Sequence, residues 1–246
     1  MDFFPLLVDE AGAMITDVIQ KFVDQEIMPI RDKIDDDVDH VLINQLLIKM
    51  SALGVFNVEL PEEGAETSGP SLANACAVIE EFARGDAGIG LVAGISSWAM
   101  AGAIYGRNRE VIDLYHRMQQ EKQPTFACFA MTEPESGCDV ENLPAMHGRT
   151  IKTRARQDGD EWVVNVAKRF PSNAGISSLY CVVCQTDPEQ GEDGIAMIYV
   201  PEDAEGLRFG KFEVKAGLQS DRNCDIFFDD VRVPLSYRAA GPGDDT

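Results

Sequence analysis

The chain has 246 residues, enough for one large domain or two smaller ones, and 45% of them are hydrophobic, an ordinary share for a folded soluble protein. Asp and Glu outnumber Lys and Arg by 42 to 21, a formal net charge of −21. With its basic residues scattered, so acidic a chain is a poor nucleic-acid binder, because a phosphate backbone would be repelled.

The N-terminal MDFFPLLVDE has no basic leader and only a short apolar piece, which predicts no signal peptide. From Ala13 to Ile27 the positions Met14, Ile15, Val18, Ile19, Phe22, Val23 and Ile27 form a helical stripe, limited by Pro29. Asp35-Asp36-Asp37-Val38-Asp39 reads as a solvated helix end or loop rather than a metal site. Leu42, Leu46, Leu47, Met50 and Leu53 make a second stripe, closed by Gly54 as a C-terminal cap. After a loop from Pro61 to Pro70, Ser71 to Arg84 gives a third helix with Leu72, Cys76, Ile79 and Phe82 inward. Ala87 to Gly106 is uncharged and near the ~20-residue length of a membrane span. Its many glycines and alanines predict instead a closely packed helix of a soluble protein. Asn108 to Gln120 is the last helix.

After Pro124 the period changes from helical to alternating, which places a domain boundary near residues 122–124. Arg149 to Arg156 and Glu161 to Lys168 flank Asp158-Gly159-Asp160, a hairpin signal. Leu179 to Thr186, Ile195 to Val200, Leu207 to Phe212 and Asp225 to Val233 complete a string of short strands. The expected architecture is α+β: an N-terminal all-α domain over 1–123, a small antiparallel β-barrel or sandwich over 124–236, and a tail over 237–246. The six cysteines, Cys76, Cys128, Cys138, Cys181, Cys184 and Cys224, have no disulfide-framework spacing. Cys181 and Cys184 lie three apart in a strand and so face opposite ways, which argues for reduced thiols and a cytoplasmic protein. His40, His116 and His147 show no ligand-like spacing.

The most informative stretch is Phe126 to Asp139, FACFAMTEPESGCD, a strand that breaks at Pro134 and Gly137 into a tight acidic turn whose backbone amides are available to a ligand. It resembles the flavin-contacting loop of the acyl-CoA dehydrogenases, aromatic-x-apolar-Thr-Glu-Pro-x-x-Gly-Ser-Asp. Phe129, Met131, Thr132, Glu133, Pro134, Gly137 and Asp139 match, and Cys138 stands where Ser is usual. Lys168-Arg169-Phe170-Pro171-Ser172-Asn173-Ala174 is similar to the family's Lys-x-Trp-Ile-Thr-Asn-Gly. Leu53-Gly54-Val55, Glu80 to Asp86, Lys215 to Leu218 and Phe228 to Pro234 extend the resemblance over essentially the whole chain. Gln219 stands where an arginine is frequent.

The resemblance implies an FAD-dependent oxidoreductase that desaturates the α,β bond of an acyl-CoA thioester and passes electrons to an electron-transferring flavoprotein. It assigns FAD binding to Phe129, Met131, Thr132, Gly137, Cys138, Phe170, Pro171 and Ser172, and substrate contact to Cys138 and Thr186. For Thr132 alone the residues also allow a hydroxyl capping a turn, and for Phe170 a core aromatic. In the family a C-terminal helical bundle follows, carrying the catalytic base and the oligomer core. This chain ends at Thr246, near the end of the β-domain. No catalytic base is therefore assigned within it. The expectation is a part or subunit, inactive by itself, that works in a hetero-oligomer with a bundle-bearing chain. The alternative is a non-catalytic structural subunit of such an assembly.

Overall fold

The computed structural model describes residues 8–37, 39–60, 72–135, 137 and 151–241. The loop read from Pro61 to Pro70, Cys138, His147 and residues 242–246 lie outside them, as does the start of the strand read from Arg149. The helices are α1 (Glu10–Phe22), α2 (Arg31–Ile34), α3 (Val41–Ala52), α4 (Leu72–Gly85), α5 (Ala87–Tyr105) and α6 (Arg109–Glu121). The strands are β1 (Ala127–Ala130), β2 (Arg154–Asp158), β3 (Glu161–Lys168), β4 (Leu179–Gln185), β5 (Ile195–Pro201), β6 (Leu207–Phe209) and β7 (Ile226–Pro234). The chain divides into two compact units, Met1–Asn57 with Pro61–Gly94 and Val214–Asp221, and Val58–Leu60 with Ile95–Glu213 and Arg222–Thr246. α5 changes unit after Gly94.

In the first unit the helical stripes bury Ile19, Val23, Ile27, Ile43, Leu46, Leu47, Met50 and Phe82, but Met14, Ile15, Val18 and Leu53 are exposed. Leu72 and Cys76, expected to face inward, are exposed because α4 turns Asn74, Ala77 and Phe82 to the interior instead. Phe22 meets Phe82 edge to face at 6.2 Å. α1 and α4 cross so closely at Gly12 that a Cβ there would lie 2.2 Å from Asn74 Oδ1. Asn74 Nδ2 in turn donates to the Asp9 carboxylate (3.0 Å), which caps α1 through the Gly12 N–H (2.7 Å). The acidic run has a similar use: Asp37 accepts from the Val41 and Ile43 amides, both at 3.0 Å, and starts α3. At the other end of α3, Gly54 sits at φ +77°, its N–H on the Ser51 carbonyl (2.9 Å) and that of Val55 on Met50 (3.2 Å), a Schellman closure.

The second unit is built on one seven-stranded sheet in the order β1-β4-β2-β3-β7-β6, with β5 on β4. The expectation of an antiparallel barrel or sandwich is corrected here: the sheet is mixed. β1 runs parallel to β4, with Ala127 opposite Leu179 and Ala130 opposite Val182, and β2 touches β4 in parallel at Arg154 and Gln185. Side-chain alternation reports which face a residue takes and carries no information on strand direction. The remaining pairs, β2·β3, β3·β7, β4·β5 and β6·β7, are antiparallel, and β2 and β3 are joined by the two-residue turn Gly159-Asp160. All seven residues of β4 are buried, as befits a strand covered on both faces. Cys184 lies in the core with Trp162, Val164 and Phe228, whereas Cys181 lies with Met100, Ala103 and Tyr115, so the CxxC spans two separate cores. In β7 the in-out alternation slips by one at Asp229-Asp230, where Asp230 sits at φ +51°. Asn165 holds this bulge, donating to Asp230 Oδ1 and accepting from the Asp230 N–H, both at 3.0 Å.

Among the described residues α5 is the one helix long and apolar enough to cross a membrane. Its second half is tied into the sheet unit by polar groups a bilayer would not provide. Ser96 Oγ accepts from the Ala127 N–H of β1 at 3.0 Å. The buried Tyr199 hydroxyl of β5 donates to the Ala99 carbonyl (2.8 Å) and accepts from the Ala103 N–H (2.9 Å), the two ends of one helical turn. Tyr199→Phe removes both bonds to the helix, and should lower unfolding stability by about 0.5–1.5 kcal/mol in a denaturant titration. Amide exchange in the Ala99–Ala103 turn should rise with it.

Candidate functional site

The chain leaving β1 at Met131 is fixed by charge. Glu133 and Lys168, 1% and 0% exposed at the side chain, form an ion pair at 3.0 Å. The same Glu133 Oε1 accepts from the Thr153 N–H (2.7 Å) and hydroxyl (2.6 Å), and Oε2 from the Lys152 N–H (2.7 Å). Four donors converge on this carboxylate, the coordination of an ionised group. The Lys168 ammonium also donates to the Met131 carbonyl at 2.9 Å, and the Arg169 N–H to the Thr132 carbonyl at 2.8 Å. Burial works against the Glu133 charge, but Lys168 and the Thr153 and Lys152 hydrogen bonds outweigh it and hold the carboxyl below the ordinary glutamate value. Burial pulls the Lys168 ammonium below the ordinary lysine value, with Glu133 opposing.

Beside this anchor the backbone after β3 takes an unusual path. Phe170 has φ +37° and Asn173 φ +66°, a conformation L side chains adopt only when the surroundings impose it. Asn173 Nδ2 donates to the Ala127 carbonyl (3.1 Å), and the Asn173 carbonyl accepts from the Ser177 hydroxyl (2.9 Å). Asn223 donates to the Phe170 carbonyl (3.1 Å) and to Ser172 Oγ (3.4 Å), and Asp225 pairs with Arg169 at 3.0 Å. Pro171 and Asn173 are thereby buried, while Phe170 is left 49% exposed, its ring 5.8 Å from the Arg169 guanidinium. A core aromatic, the plain reading of Phe170, is not what is observed.

The structure thus sets the Met131 carbonyl on Lys168 and the Thr132 carbonyl on the Arg169 N–H, one residue before Phe170. Phe129 packs with Met131 against Ile151, Val183 and Ile195 and is stacked on Trp98, with centroids 4.9 Å apart and planes 19° apart. Thr132 is half-buried, and its hydroxyl and N–H find no hydrogen-bond partner among the described residues. Gly137 is exposed with open space around it, and Cys138 lies outside the described residues. Thr186 is not drawn into this group: its hydroxyl donates to the Gly194 carbonyl at 2.9 Å and closes the loop between β4 and β5. Cys224 offers no reactive thiolate, since burial pushes its thiol up to about 11. No metal-holding group of His, Cys, Asp and Glu occurs among the described residues.

Sequence reasoning gave no role to Glu133, Lys168, Asn173 or Trp98. The signal for the pair was available. Trp162 and Val164 point inward along β3, and a lysine at the end of so apolar a strand demands a buried acid.

Two residues past the end of β1, the donors on Thr132 are unpaired among the described residues, and the Thr132 carbonyl is hydrogen-bonded to the residue before an exposed aromatic. This arrangement suits a flat heteroaromatic ligand with an acceptor edge, as an isoalloxazine has. Two family profiles match the chain: "Acyl-CoA dehydrogenase, N-terminal domain" over residues 9–108 and "Acyl-CoA dehydrogenase, middle domain" over residues 128–231. The chain belongs to the acyl-CoA dehydrogenase family. It is 30% identical over 225 residues to the protein named probable acyl-CoA dehydrogenase FadE25 of Mycobacterium tuberculosis, covering 92% of this chain and 55% of that one. The acyl-CoA dehydrogenase of Geobacillus kaustophilus superposes with a TM-score of 0.74 at 25% identity, over 96% of this chain and 60% of that one. An acyl-CoA dehydrogenase of Bacillus anthracis, solved complexed with FAD, shares the fold with a TM-score of 0.75 at 22% identity, over 97% of this chain and 38% of that one. The chain spans about half the length of the curated relatives it matches.

Because the folded-state pKa of Glu133 lies below its unfolded value, the stability it contributes is whole above the ordinary glutamate pKa of about 4.3 and is lost as pH falls through the lower folded value. Thermal melts taken between about pH 6 and pH 3 should show this loss, and Glu133→Gln should start lower and fall less steeply.

Proposed function

We propose that this chain forms the flavin-facing part of an FAD-dependent acyl-CoA dehydrogenase. The observation that carries the reading is Thr132. Its two donors are free among the described residues, its carbonyl is bonded to the residue before the exposed Phe170, and a buried ion pair fixes the backbone that presents them. Thr132 and Met131 would face the pyrimidine edge of the isoalloxazine, with Phe129, Phe170, Pro171 and Ser172 around the ring. Gly137 and Cys138 would serve the diphosphate, and Cys138 with Thr186 the acyl-CoA. The chemistry supplied by the cofactor when bound is hydride acceptance from the acyl β-carbon. The Thr132 donors would stabilise the negative charge that accumulates on reduction, and Phe170 and Trp98 would help exclude water.

The reading also carries an assembly. Glu133, the acid next to Thr132, is engaged by four donors, so the base that takes the α-proton is expected from a C-terminal helical bundle, in a second polypeptide or in a longer form of this one. Residues 1–123 and 124–236 would then be the family's N-terminal and middle domains, with 237–246 leading toward the bundle. An electron-transferring flavoprotein would take the electrons, and the buried reduced cysteines suit a cytoplasmic setting. One observation favours a second reading, a non-catalytic structural subunit: the Thr186 hydroxyl is already spent on Gly194.

The protein, isolated with any chain that accompanies it, should show a flavin absorption spectrum. Thr132→Val should weaken FAD binding about tenfold, the worth of one good hydrogen bond, in a fluorescence titration. A spectrum without flavin, and no FAD binding on reconstitution, would favour the structural subunit. With an artificial electron acceptor and a panel of acyl-CoA thioesters, the 246-residue chain without a bundle should turn over at least about 10²-fold more slowly than with one, the share a general base supplies.

A further inference from the structure

A tie between Met131 and the sheet needs no charge. A neutral donor would serve, and a well-packed apolar pair of similar volume would often be more stable than a buried ion pair. Yet the group seated on the Met131 carbonyl is an ammonium, 2.9 Å away, and its countercharge, the Glu133 carboxylate, lies 3.0 Å from it. The row runs Glu133 carboxylate, Lys168 ammonium, Met131 carbonyl, and then, through one planar peptide, the Thr132 N–H. A cation on a carbonyl oxygen draws electron density through the amide and makes its N–H a stronger donor, and a low local dielectric preserves the effect. Among the described residues, the Thr132 N–H and hydroxyl at the end of this row have no hydrogen-bond partner. Arg169 contributes nothing comparable, since its side chain is turned to Asp225.

We infer that Lys168 and Glu133 are positioning residues that set the electron affinity of the flavin site: the ammonium polarises the Met131–Thr132 peptide toward the bound ring, and the carboxylate limits how far. The inference rests on the flavin reading above. It names a sign for each partner. Removing the lysine leaves a weaker donor and an uncompensated negative charge, so the oxidised ring is favoured. Removing the acid's charge leaves the ammonium unopposed, so the reduced ring is favoured. Two residues that merely held the fold would not move a potential in opposite directions.

The test uses the full chain with any co-purifying polypeptide, FAD as the probe, and potentiometric reduction of the bound flavin. Lys168→Met, Glu133→Gln and the double variant Lys168→Met/Glu133→Gln are compared with the unmodified protein, after each has shown a cooperative melt. Lys168→Met should lower the ratio of reduced-form to oxidised-form affinity about tenfold, a fall of about 30 mV for a two-electron couple. Glu133→Gln should raise it. Because Lys168→Met alone leaves a buried carboxylate without its cation, the lysine effect is also read as the double variant against Glu133→Gln, where neither protein has lost a cation from beside a charged acid. A tenfold fall in that second comparison supports the inference even if Lys168→Met does not fold. Equal potentials across the variants, or single variants that shift the same way, would overturn it while leaving the flavin reading intact. An unmodified protein that binds no FAD would overturn the flavin reading and the inference together.

Discussion

The site depends on one buried charge pair. Burying a lone lysine or glutamate costs several kcal/mol, which only mutual neutralisation and full hydrogen bonding offset. Glu133 and Lys168 meet that condition by drawing in Met131, Lys152 and Thr153, groups from three separated stretches of chain. The pair cannot slip without stranding a charge, so the three stretches are held in one arrangement. That is how the segment beyond the end of β1, Met131 to Glu133, acquires a definite backbone path, and how the loop at Arg169 is fixed against it.

The second requirement is to keep an aromatic ring at the surface. A Phe left 49% exposed forgoes part of the burial free energy, about 1.5–3 kcal/mol for a whole side chain, and its positive φ adds about 1–3 kcal/mol of strain. Asn173, Asn223 and Asp225 supply the compensating contacts from the loop's other side. Such an arrangement has a use when a ligand completes it. Thr132 shows the same thing in polar form, its donors unspent among the described residues.

Much of this was legible in the residues. The helices, the Gly54 closure, the hairpin at Asp158-Gly159-Asp160 and the opposed faces of Cys181 and Cys184 all follow from local periodicity and turn chemistry and are seen, whereas the inward face of α4 was misjudged at Leu72 and Cys76, which are exposed. The motif from Phe129 to Gly137 and that from Lys168 to Asn173, distant in sequence, do converge at Thr132 and Arg169. What was not legible depends on distant pairing. β1 and β4 lie some 50 positions apart, and no local pattern states that they run parallel. The Glu133–Lys168 contact is likewise non-local, although each residue was in plain sight within a motif. The exposure of Phe170 is a property of backbone sign, set by Asn173 and Asn223 rather than by the phenylalanine itself.

The hydroxyl of Tyr199 has a reach beyond its two bonds. Ala99 follows Trp98 directly, so a phenol lodged between the Ala99 carbonyl and the Ala103 N–H fixes the rotational phase of α5 at the residue next to the indole. A rotation of that helix by one residue, about 100°, would carry Trp98 off the ring of Phe129. β5 therefore acts as an index pin: besides packing Ile195 and Met197 in the cluster that holds Phe129 and Met131, it sets the angle at which the site's aromatic flank is presented.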